Sequence, residues 1–107
     1  MRGNIFENMI ITDLIKTRFN QSKKSNVYFW RDHVGKEVDV IIEKPNLLTA
    51  IEIKSGKTVT SEYFKNINYW AKLTKENSNY ILYGGTDTQL RSEVSVLPWK
   101  EIEKIDV

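Results

Sequence analysis

The sequence has no cysteine, a single histidine and two prolines among its 107 residues. Without cysteine there is no disulfide framework, no thiolate metal site and no thiol nucleophile. A lone histidine excludes the multi-histidine zinc centres. Long hydrophobic runs are missing too. Apolar stretches such as Val40-Ile41-Ile42 fall far short of the ~20 residues that a membrane-spanning helix needs. Glu7 and Asp13 interrupt the apolar stretch near the N-terminus, which does not read as a signal peptide, and a cytoplasmic location is expected. No G-x-x-x-x-G-K-[ST] phosphate loop is present, so ATP hydrolysis of that kind is excluded for this chain. Charge of one sign is also scarce. Sixteen Lys+Arg against fourteen Asp+Glu leave +2, which permits a nucleic-acid or phosphate partner without arguing for one.

What remains is 40% apolar, 28% charged and 11% aromatic, the composition of one compact domain over residues 1–107. At this size about two-thirds of the unfolded surface leaves water on folding, enough for a core without staples. The chain begins almost inside a helical stretch, which leads us to expect a piece of a longer protein.

Residues 4–19 read as an amphipathic helix, with Ile5, Phe6, Met9, Ile10, Ile11, Leu14, Ile15 and Phe19 at helical spacing. A polar loop follows, then strands at 27–32, 36–43 and 48–54, separated by turn signals at Val34-Gly35 and Pro45-Asn46. Thr60 or Ser61 is expected to cap a second helix running to about Lys75. That helix buries Tyr63, Phe64, Ile67, Trp70, Ala71 and Leu73 and turns Lys65, Lys72 and Lys75 outward. Strands at 79–83 and 94–97 follow, and Pro98 suits the start of a terminal helix. The strand–helix–strand crossover from 48–54 to 79–83 makes those two strands parallel. The fold class is α/β, a small mixed sheet with helices on both faces.

The informative residues are carboxylates that break this pattern. On a helical wheel Glu7 falls between Leu14 and Ile11, within the face that should be buried. Either it has a partner there, or it lies in the first turn, where the helix dipole favours an acid. In the hairpin of 36–43 and 48–54, Glu43 facing Leu48 puts Asp39 directly opposite Glu52, and like charges so placed destabilise a sheet. Lys54 is two residues from Glu52 and shares its face. The same count in the preceding hairpin sets Trp30 opposite Asp39, and assigns Val38 to one face with Val40 and Ile42. Two facing carboxylates beside a lysine suit a hard divalent cation such as Mg²⁺ or Mn²⁺; a charge cluster at a wet sheet edge is the other reading. Lys57, in the Ser55-Gly56-Lys57 turn, and Lys65 are candidate phosphate contacts. Trp30, with Tyr28, is a candidate stacking surface for a base. Each of these has an ordinary structural explanation as well.

Glu37-Val38-Asp39 and, on the next strand, Glu52-Ile53-Lys54 resemble the D…E-x-K signature of the PD-(D/E)xK nuclease superfamily. Glu7 matches the acid that many members carry in the preceding helix. The phrases GNIFENMII, YFWRD, GKEVDVII and AIEIKSGK are similar to the C-terminal nuclease-like domain of a family of bacterial and archaeal P-loop (AAA+-type) ATPases. That similarity runs from Gly3 to about Trp99. Val38 stands where the signature has Pro, which carries no chemistry. The resemblance implies a restriction-endonuclease-like αβββαβ core. It implies that Asp39 and Glu52, with the Ile53 carbonyl, hold Mg²⁺ or Mn²⁺, that Glu7 binds it through water or holds a second ion, and that Lys54 orients or deprotonates the attacking water. The expected function is Mg²⁺-dependent phosphodiester hydrolysis on DNA, with a P-loop ATPase domain of the same parent chain as partner. The alternative is a catalytically silent module that binds nucleic acid or regulates the ATPase.

Overall fold

The computed structural model describes residues 5–20, 27–74, 76–91 and 93–105, with the side chains of 5–8 and 17–20 outside the described set. The first helix, α1 (Ile5–Asn20), leads into a meander of β1 (Val27–Arg31), β2 (Glu37–Lys44) and β3 (Leu47–Lys54). A 3₁₀ turn at Ser61–Phe64 runs into α2 (Lys65–Leu73), followed by β4 (Asn77–Tyr83), β5 (Gln89–Arg91), β6 (Val94–Pro98) and a 3₁₀ segment at Trp99–Lys104. The strands form one mixed sheet in the order β1-β2-β3-β4-β6-β5. Neighbours are antiparallel except β3–β4 and β4–β6, which are parallel.

The alternation of each strand sorts the core into two layers. On one face Ile10 and Leu14 of α1 pack against Val40, Ile42, Ile51, Ile53 and Leu82. On the other, Phe64, Ile67 and Trp70 pack against Ile41, Ala50, Ile81, Tyr83 and Val96. The mixed sheet flanked by helices is the architecture expected from sequence. The β2–β3 register is also as expected, with Glu43 facing Leu48 and Val40 facing Ile51, although the strands reach further and leave a two-residue turn at Pro45-Asn46.

Several boundaries differ. The second helix opens as a 3₁₀ turn after an extended Thr60 that makes no side-chain cap. Leu73, expected inside, is 57% exposed at its C-terminal end. Pro98 both ends β6 and caps the start of the terminal helix, as expected, but that helix is 3₁₀. Strand β5 was not anticipated, because three residues with Leu90 largely exposed carry no alternation to read. Lys75 lies outside the described residues. Among the described residues no helix is long and apolar enough to cross a membrane.

Candidate functional site at the β2 bulge

The β1–β2 register corrects one expectation and explains the site. Val27 faces Ile42 and Tyr28 faces Ile41, but the register then slips and Trp30 faces Val38, not Asp39. Asp39 and Val40 together stand against the single Phe29, which makes a bulge on β2. A one-residue slip turns a side chain to the opposite face. Val38 accordingly packs in the α2-side layer while Val40 packs on the α1 side, against the expectation that they share a face. Trp30 is half-buried in the same α2-side layer, its ring centroid 5.4 Å from Trp70 edge-on and 6.2 Å from Tyr69. Its role in the structure is to join β1 to α2.

The bulge places Asp39 among the backbone groups of β3. The Ile53 N–H donates to Asp39 Oδ2 at 2.7 Å, and the Asp39 N–H donates to Glu52 Oε1 at 3.2 Å. Each carboxylate therefore stands in for a main-chain carbonyl of the facing strand. Both side chains are withdrawn from water, Asp39 at 5% and Glu52 at 2% exposure. Buried carboxylates side by side are costly unless hydrogen bonds and positive charge accompany them. The two amides supply part of this. Lys54 Nζ, 3.9 Å from Glu52 Oε2, adds a positive charge. The Lys54 ammonium also lies 5.9 Å from the centroid of the Tyr63 ring.

Four of the residues singled out in the sequence thus come together at one end of β2 and β3: Asp39, Glu52, Ile53 and Lys54. As a donor set they fit a hard cation. Two carboxylates and an adjacent main-chain carbonyl offer only oxygen, the ligand that Mg²⁺ and Mn²⁺ take. Among the described residues no group of three or more His, Cys, Asp or Glu converges. The side chain of Glu7 lies outside the described residues. Lys57 is exposed on the loop after β3, and Lys65 is exposed and paired with Glu62 at 3.0 Å. Tyr28 is half exposed, with its hydroxyl 3.4 Å from Glu43 Oε1, away from the acid pair.

The loops that follow β3 and β4 close this end of the sheet. The Gly84 N–H donates to the Gly56 carbonyl at 2.9 Å. A Cβ at Gly84 would collide with the Ser55 carbonyl, and one at Gly85 would lie 2.7 Å from the Lys57 carbonyl. Glycine is what lets the two loops touch. Sequence reasoning did not find Tyr63 at Lys54, since in sequence it reads as one more apolar residue of the expected second helix.

No curated protein and no solved structure gives a significant match to this chain. A family match does exist and spans almost the whole fold just described, from α1 through the sheet to the last 3₁₀ segment. The family described as "Domain of unknown function (DUF4143)" matches residues 2–102, and the chain belongs to it.

Proposed function

We propose that this domain hydrolyses phosphodiester bonds in DNA with Mg²⁺ or Mn²⁺. The observation that carries this reading is the buried pair Asp39 and Glu52, cross-bonded at a bulge, with a lysine ammonium 3.9 Å from one of them. A bound divalent ion supplies Lewis acidity toward a phosphoryl oxygen and acidifies water at neutral pH. Asp39, Glu52 and the Ile53 carbonyl would hold it, with Glu7 as a further ligand through water. Lys54 would orient the attacking water or, as the neutral amine, accept its proton, and as the ammonium it would stabilise the charge that develops on the phosphoryl oxygens. Lys57 and Lys65 would meet the DNA backbone, and a P-loop ATPase domain of the same parent chain would govern access.

The test is a metal titration followed by cleavage of single- and double-stranded DNA. Wild type should nick or degrade DNA with Mg²⁺ or Mn²⁺. Lys54→Ala should keep its fold and its metal-induced stabilisation while losing ~10²-fold or more in rate. Equal rates for the two proteins would overturn the role of Lys54.

The near-zero net charge of +2 and the small size of the domain favour a second reading, a catalytically silent module that binds nucleic acid or docks on the ATPase. A wild type inert on every nucleic acid with the full-length parent present would select it.

A further inference from the structure

Lys54 ends β3 on a flexible four-carbon stem, and its side chain is 34% exposed. A separation of 3.9 Å from Glu52 Oε2 is at the outer limit of an ion pair, and such a contact alone does not fix a lysine in one place. A second group borders the ammonium. Tyr63, half-buried against the α2-side layer, presents its ring 5.9 Å from Lys54 Nζ. The ring is itself located by the loop that Lys54 begins. Its hydroxyl rests on Gly56, where a Cβ would collide with Tyr63 Oη but would stand at an ordinary 3.4 Å from Tyr63 Cζ. The loop cannot retreat, because the Gly56 carbonyl accepts the Gly84 N–H at 2.9 Å. From the other side, the Tyr63 N–H donates to the Thr60 carbonyl at 3.1 Å, which fixes the turn that carries the ring.

We propose that Tyr63 is a positioning residue for Lys54, its ring seated on Gly56 and holding the ammonium beside the Glu52 carboxylate. An aromatic face attracts an ammonium through its quadrupole, and unlike a third carboxylate it adds no charge to a site that already has two. The consequence for cleavage rests on the hydrolytic reading above, while the placement of the lysine does not.

The test reads the two separately. In metal-free protein, trace acetylation with acetic anhydride reports the availability of each lysine amine, read by mass spectrometry and normalised to Lys100. Tyr63→Leu should raise Lys54 labelling about two- to fivefold, the range that an exposed cation–π contact supports. Tyr63→Phe, which keeps the ring, should label as wild type. Gly56→Ala drives the hydroxyl away and should raise labelling as Tyr63→Leu does. The double variant Gly56→Ala/Tyr63→Phe removes the colliding atom and should return to the wild-type value. Unchanged labelling in Tyr63→Leu overturns the proposal, and so does a double variant that stays as high as Gly56→Ala. Cleavage rates should fall in the order in which labelling rises. Labelling that follows this pattern in a protein that cleaves no DNA supports the positioning and counts against the hydrolytic reading alone.

Discussion

Asp39 gives one carboxylate oxygen to the Ile53 N–H and its own N–H to Glu52, so its charge and its acceptor act in different directions on stability. Asp39→Asn keeps an acceptor for Ile53 and removes one of two neighbouring buried charges. The metal-free variant should melt as high as wild type or a few degrees higher. Asp39→Ala leaves a buried N–H without its partner, a loss of about 1–3 kcal/mol. For a domain of this size each kcal/mol lowers Tm by roughly 4–8 °C. Mg²⁺ at about ten times its Kd should stabilise wild type by about 1.4 kcal/mol, and Asp39→Asn should lose most of that gain; differential scanning calorimetry with and without the ion checks both shifts. Asp32 illustrates the opposite case of a carboxylate used by a turn. Partial dehydration pushes its carboxyl up, but the N–H groups of Lys36 and Val34, the Tyr69 hydroxyl and nearby His33 outweigh it and hold it below the usual aspartate value. A lowered value means that the carboxylate's contribution is complete above about pH 4 and fades as pH falls through the folded value. The Val34 and Lys36 amide resonances should therefore stay constant from neutral pH down to that point and move together below it, and Asp32→Ala should abolish the step. That Asp39 and Glu52 come together was legible because like charges counted onto paired positions violate a sheet rule, although the β2–β3 pairing ends at Val40–Ile51 and the two carboxylates bond main-chain amides beyond it. Tyr63 gave no such sign, since nothing in sequence links it to Gly56.

Strands β2 and β3 were legible as elements because short runs of apolar, largely β-branched residues form them and Pro45-Asn46 marks the turn. The bulge was not, since it inserts a residue without altering composition or period on either side. Its effects were misassigned accordingly: Val38 belongs to the α2-side layer and Trp30 faces Val38. The split of the second helix escaped notice for a related reason. A 3₁₀ turn and an α-helical turn place Tyr63, Phe64 and Ile67 on one side alike, so the apolar pattern does not separate them. The loops after β3 and β4 depend on contact between main chains, which leaves glycine as its only trace. Gly84→Ala would press a methyl group on the Ser55 carbonyl and set it 3.2 Å from the Gly56 oxygen, both backbone atoms with no rotamer to change. It should cost about 1–3 kcal/mol in urea denaturation with an unchanged m-value. Gly35→Ala, where φ is +94° and nothing lies within 4 Å, should cost only the backbone strain of about 1–2 kcal/mol and leave the acid pair undisturbed.

At the scale of the whole molecule, the sheet joins two kinds of pairing. The antiparallel meander closes through short turns, whereas β3–β4 pairs Leu48 with Asn77 and must wait for the intervening α2 crossover. The sheet with a helix on each face followed from the order of elements, because a crossover helix after a meander has to cover the face that the first helix leaves open. The order in which the layers assemble adds a kinetic consequence. A hairpin with a two-residue turn forms in ~1–10 μs, while parallel strands pay a loop-closure entropy before any contact repays it. The β2–β3 hairpin should thus be present in the folding transition state, with Asp39 and Glu52 already pressed together and the rest of the sheet not yet laid down to compensate. In stopped-flow experiments without divalent ions, Asp39→Asn should accelerate refolding and leave the unfolding limb nearly unmoved. Leu82→Ala, in the late-pairing strand β4, should do the reverse and act mainly on unfolding. The acid pair would then set the speed at which the chain reaches its native state, so a cation that settles between the carboxylates would shorten the search for the fold as well as stabilise its result.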